Sequence, residues 1–106
     1  QALHTHEPVD PLHKPGQCDL TAHVDFEALL ADLPCTHSRV TPQGIFLERL
    51  GITQRAQALA KNLSGAALDQ HIAAHRRLTH PDEMGNLFKT VALFPSSTTP
   101  PPGYEI

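Results

Sequence analysis

Asp19, Thr21, His23 and Asp25 alternate with Leu20, Ala22 and Val24 inside the stretch PGQCDLTAHVDF, residues 15–26. On an extended backbone successive side chains point to opposite faces, so this spacing gathers four polar groups on one side and three apolar ones on the other. Such a row can form one wall of a polar site. The plain alternative is structural: Asp19 organises a turn, Thr21 bonds backbone, and Asp25 caps a helix.

Eight histidines offer a second chemistry. His4 and His6 flank one residue, and His71 and His75 lie one helical turn apart, a spacing from which a metal can be held. HIAAH lacks the glutamate of a zincin helix, and neither Cys18 nor Cys35 belongs to a Cys-x-x-Cys pair. The histidines therefore read as solvated surface groups and the site residues include no metal ligand. Gln43 and Gly44 fall at a helix N-terminus, where free N–H groups can meet a ligand, although close packing explains Gly44 equally well. Lys89 interrupts an apolar strand and reads either as an edge residue or as a paired group in a site.

The elements that must position these groups follow from pattern. Residues 1–18 carry three prolines and no sustained period and read as loop. Asp25 is the predicted cap of a first helix that ends by Pro34, with Val24 and Leu29 spaced as a hydrophobic staple. Thr41–Pro42 reads as cap and first-turn pair of a second helix, stopped by Gly51; Thr53 caps a third through Asn62, and Ser64 a fourth from Gly65 to Leu78, before Pro81. A short strand over residues 36–41 precedes them. LFKTVALF, residues 87–94, is the strongest strand and reads as a sheet-interior strand buried on both faces. PSSTTPPPGYEI, residues 95–106, reads as an extended, mobile tail.

Composition narrows the partners. The net charge is −3 with neutral histidine, and the eight Lys and Arg residues are dispersed, so no basic stripe marks a nucleic-acid surface. No apolar run approaches the roughly 20 residues that span a bilayer. Two cysteines without a framework read as reduced thiols.

PGQCDLTAHVDF, together with TPQGIFLERLGI (41–52), RLTHPDEMGNLFKTVAL (77–93) and the opening QALHTHEPVDPL, resembles the C-terminal part of the MidA-like methyltransferases, in order from Gln1 to about Leu93. The resemblance implies an α/β, Rossmann-like, S-adenosylmethionine-dependent enzyme that methylates arginine on a protein, with a respiratory complex I subunit as candidate substrate. It implies that Asp19, Thr21, Asp25 and Gln43 bind substrate and that Asp19 and His23 are catalytic, orienting a guanidinium and relaying its proton. The glycine-rich cofactor turn of that fold is absent, since the six glycines form no G-x-G cluster. The expectation is therefore a distal portion, inactive alone: residues 1–94 complete a methyltransferase domain with about four helices and two to three strands. Residues 42–80 form an inserted helical group, and the cofactor site lies in a missing N-terminal half. A stand-alone, mostly helical interaction module is the alternative, and a small metal-binding protein the third reading. Ala, His and Pro usage points to a bacterial cytoplasm, with the mitochondrial matrix as the alternative.

Overall fold

A computed structural model describes residues 1–104. The chain divides into two compact units, Gln1–Ala31 and Asp32–Ile106.

In the first unit, strands β1 (Ala2–His4), β2 (Glu7–Val9) and β3 (Asp19–Leu20) form an antiparallel sheet in the order β2-β1-β3. The region read as loop thus contains a hairpin. The link between β1 and β2 is the dipeptide Thr5–His6, both left-handed at φ 51° and 66°. Two left-handed residues match the twist of a hairpin, but the usual sequence is Asn-Gly, so Thr-His carries no recognisable turn signal. Pro8 sits on the edge strand, where its missing N–H is harmless. A β-branched residue in this conformation costs about 1 kcal/mol or more, which asparagine avoids. Thr5→Asn should therefore raise hydrogen-exchange protection of the β1 and β2 amides by about five-fold; unchanged protection would show that the turn does not limit hairpin stability.

Helix α1 (Phe26–Leu30) closes the unit and is shorter than the predicted helix ending at Pro34. Asp25 caps it as expected, accepting from the Ala28 N–H at 3.1 Å. The chain leaves the helix at Ala31, and Asp32 turns left-handed at φ 56°.

The second unit pairs β4 (Thr36–His37) with β7 (Leu93–Phe94) and β5 (Thr41–Pro42) with β6 (Lys89–Thr90), both antiparallel. Between these pairings three residues, 38–40, face two, 91 and 92, so the ribbon carries a β-bulge on its first strand. Ser38 fills the gap: its N–H donates to Ala92 O and its hydroxyl accepts from Ala92 N, each at 2.9 Å.

Helices α2 (Gln43–Arg49), α3 (Ile52–Ala60) and α4 (Gly65–Thr79) follow, with a single-turn α5 (Met84–Leu87) that the sequence did not announce. Thr41 and Pro42 belong to β5 rather than to a helical first turn, because the strand takes up their backbone and the Thr41 hydroxyl donates to Arg39 O. Gly51 is left-handed at φ 88°, as its place after α2 requires, and leads directly into α3. Thr53 does not cap α3; its hydroxyl donates to Glu48 instead. Ser64 holds the N-cap position of α4 without a side-chain bond. Gly44 and Gly85 are buried where α2, the end of α4 and α5 converge, and a side chain on either would overlap the Thr79 carbonyl oxygen.

The tail is not simply extended. Tyr104 is 9% exposed and stacks on Phe46 with ring centroids 4.8 Å apart, and Gly103 O accepts from Arg49 Nη1 at 3.2 Å. Glu105 and Ile106 lie outside the described residues.

Twelve large apolar side chains among the described residues are exposed, including Leu87 at 63%, Phe88 and Leu93. The expected burial of residues 87–94 on both faces is thus corrected: Leu87 ends α5, the strands at 89–90 and 93–94 pair along one edge, and Leu87, Phe88 and Leu93 stay exposed while Val91, Ala92 and Phe94 are half-buried.

Candidate functional site

The polar row of residues 19–25 is held at both ends. At its start the Cys18 thiol donates to His13 O at 3.1 Å, and Asp19 pairs with Leu3 across the sheet. Next, Gln1 N donates to Thr21 O at 3.0 Å and Thr21 N–H returns a bond to Gln1 O at 2.8 Å. At its end, Asp25 is fixed by the cap on α1.

Between these anchors the side chains of Asp19 and His23 are exposed and make no hydrogen bond among the described residues. Thr21 places its hydroxyl 3.5 Å from Gln1 O, a contact to backbone. Asp25 spends Oδ1 on the cap and keeps Oδ2. On the apolar side of the row, Leu20 is 69% and Val24 59% exposed. What the segment offers chemically is an exposed carboxylate and an exposed imidazole on a backbone pinned at three points.

Gln43 lies in the other unit. Its amide nitrogen donates to Leu78 O at 2.9 Å, tying the start of α2 to one of the free carbonyls at the end of α4 and leaving the amide oxygen as an acceptor. Lys89 donates to Asn86 O at the end of α5.

The sequence reading missed a polar seam between helices. His71 and His75 are half-buried rather than solvated: His71 Nε2 lies 2.9 Å from Ala56 O, and His75 Nε2 lies 3.3 Å from the Thr53 hydroxyl that donates to Glu48. Their one-turn spacing was the available signal, but it marks the face toward α3. No group of three or more His, Cys, Asp or Glu side chains among the described residues is placed to hold a metal ion. None of the helices among the described residues is long and apolar enough to cross a membrane.

Residues 1–46, which contain Asp19, Thr21, His23, Asp25 and Gln43, match the model of a family described as "Putative S-adenosyl-L-methionine-dependent methyltransferase". Over those residues the chain is similar to that class. More particularly, it is 34% identical over 100 residues to the Drosophila melanogaster protein named "Protein arginine methyltransferase NDUFAF7 homolog, mitochondrial", covering 90% of this chain and 23% of that one. It is 34% identical over 108 residues to "Protein arginine methyltransferase NDUFAF7, mitochondrial" of Xenopus tropicalis, covering 96% and 25%. Over 98 residues it is 32% identical to the Rattus norvegicus protein of the same name. The chain spans about a quarter of the length of these curated relatives.

These likenesses overturn the expectation of a bacterial cytoplasm, since the relatives are eukaryotic proteins named as mitochondrial. Residue usage in 106 positions is too coarse a guide to compartment.

The family's description implies S-adenosylmethionine as cofactor. A nucleotide-type cradle uses glycines whose missing side chains make room for a ligand. Gly44 and Gly85 do not serve that way, because backbone of Thr79 and His80 fills the space beside them. Gly44 and Gly85 therefore offer the cofactor no cradle.

Proposed function

We propose that this chain is the C-terminal portion of an S-adenosylmethionine-dependent protein arginine methyltransferase. In this reading residues 1–94 complete a Rossmann-like domain whose cofactor site lies N-terminal to them. Helices α2 to α4, within residues 42–80, form an inserted group, and the protein works in the mitochondrion on an arginine of a protein substrate. A respiratory complex I subunit as that substrate rests on the motif resemblance alone. The observation that carries the reading is the likeness to arginine methyltransferases over 90% or more of this chain but only about a quarter of theirs. The exposed apolar side chains, Leu87 at the end of α5 with Phe88 and Leu93 along the ribbon, support it, because buried partners for them would have to come from other residues.

This chain's own contribution would be on the substrate side. The Asp19 carboxylate accepts charge-assisted hydrogen bonds from a guanidinium and fixes which nitrogen is presented. Asp25 Oδ2 and the Thr21 hydroxyl are the remaining acceptors in this unit assigned to the substrate. His23, exposed and unbonded, takes up the proton that the nitrogen loses.

The test compares a full-length protein carrying this segment, its Asp19→Asn variant, and the 106 residues alone. Expected are S-adenosylmethionine binding by both full-length forms with similar affinity, none by the short chain, and turnover at least about ten-fold lower in Asp19→Asn. That loss corresponds to one charge-assisted hydrogen bond. Unchanged turnover would remove Asp19 from the site, and tight cofactor binding by the short chain would sink the assignment of the cofactor site elsewhere.

A further inference from the structure

We propose that Arg39 and Arg49 form a binding site for a single oxyanion group, a phosphate or a carboxylate. Both line one small pocket of about 150 Å³ in the second unit, together with Thr41, Pro42, Ile45 and Tyr104. Neither arginine has a carboxylate partner among the described residues, in a chain where 11 acidic residues outnumber 8 Lys and Arg. Arg76 alone among the described Lys and Arg residues pairs with a carboxylate, so what sets Arg39 and Arg49 apart is that they line the same pocket.

The pocket is also built. Arg39 stands in the bulge of the ribbon, the one place where the first strand carries an extra residue, and such bulges re-aim a side chain. Ser38 and Thr41, the buried polar residues among those described, both donate their hydroxyls to Arg39 O, at 3.0 and 3.1 Å. Two buried side chains are thus spent on fixing the backbone of an exposed arginine. Arg49 is fixed from the other side: one N–H donates to Gly103 O, which Tyr104 holds in place by stacking on Phe46. The remaining guanidinium donors of both residues are available in the fork geometry that oxyanions accept.

Size sets the ligand class. Pockets for whole small molecules run to about 300–1,000 Å³, so 150 Å³ takes one head group, not a nucleotide. The site holds the phosphate or carboxylate of a ligand whose body lies outside, and nothing in it assigns a role in methyl transfer.

Inorganic phosphate and glutarate are the probes, titrated separately into the full 106-residue chain at low ionic strength and followed by calorimetry and by amide chemical shifts. Saturable binding of either probe is expected, with shifts at Thr41 and Tyr104, and the probe that binds tells phosphate from carboxylate. Arg39→Met should weaken binding about ten-fold, since each charge-assisted bond is worth that much. Arg49→Lys keeps the charge but loses the fork and should also weaken it, whereas Arg77→Met, which removes an equal charge from the end of α4, should not. Equal losses in Arg39→Met and Arg77→Met would mean unspecific charge attraction and overturn the site, as would failure of both probes to saturate. Arg39 is exposed, so its variant keeps the fold; an unchanged melting curve checks this.

Discussion

Replacing Gly85 with alanine is expected to lower the thermal midpoint of the chain by roughly 10 °C or more, the largest effect of any single methyl group added to it. Considered by backbone alone the sign would be opposite. Gly85 is the second residue of the short helix α5, at ordinary φ, and exchanging glycine for alanine in a helix gains about 0.5–1 kcal/mol through lower unfolded-state entropy. Packing reverses it. The new Cβ would overlap the carbonyl of Thr79 and sit 2.8 Å from His80 O, and both obstacles are backbone, which cannot rotate away as a side chain can. Overpacking of this kind costs typically 1–3 kcal/mol and more when backbone must shift, which exceeds the propensity gain. Gly44 meets the same Thr79 oxygen from α2, so Gly44→Ala should also destabilise, and the pair should be non-additive because they share one obstacle. Gly65→Ala is the control. Its φ of 59° costs about 1 kcal/mol in any L-residue, but no atom lies within 4 Å of its Cβ position. If circular dichroism melting placed Gly85→Ala within a few degrees of Gly65→Ala, the close approach of α2, α4 and α5 would be wrong.

That close approach shows where sequence reading stopped. The cap at Asp25, the left-handed Gly51 and the span of α4 between Ser64 and Pro81 were legible because each is a local event written in neighbouring residues. The hairpin at Thr5–His6 was local but used no turn residue, and so left no mark. Thr41–Pro42 has the composition of a helix start, yet pairing with Lys89 and Thr90, nearly fifty residues away, claimed it for a strand. His71 and His75 were read as solvated because periodicity gives a helix its faces but not what lies against each. Of the candidate site, the order of Asp19, Thr21, His23 and Asp25 was legible, and so was the cap; the three-point pinning by Cys18, Gln1 and Ala28 was not. The Arg39 and Arg49 pocket was out of reach, since it needs a bulge in a long-range ribbon and a tail that folds back.

The tail supplies the second large effect. Tyr104→Ala should cost about 3 kcal/mol, in the range for deleting a buried aromatic ring, because Tyr104 is 9% exposed and its ring stacks on Phe46 at an interplanar angle of 27°. Tyr104→Phe should cost little, since the stack is a property of the ring and the hydroxyl makes no hydrogen bond among the described residues. Gly103 makes the seating specific. It is left-handed at φ 88°, and a Cβ there would lie 2.6 Å from the Phe46 ring, so Gly103→Ala should approach the loss of Tyr104→Ala from the opposite cause, crowding rather than a void. All three variants would be read by denaturant unfolding of the chain. Equal midpoints for Tyr104→Ala and Tyr104→Phe would show that the ring does not hold the tail on α2. A large loss in alanine alone would mean that a segment composed like a loose end, rich in Pro, Ser and Thr, is anchored by one aromatic residue. The same anchoring positions Gly103 O against Arg49, so Tyr104→Ala should weaken phosphate or glutarate binding as well, whereas Tyr104→Phe should leave it unchanged.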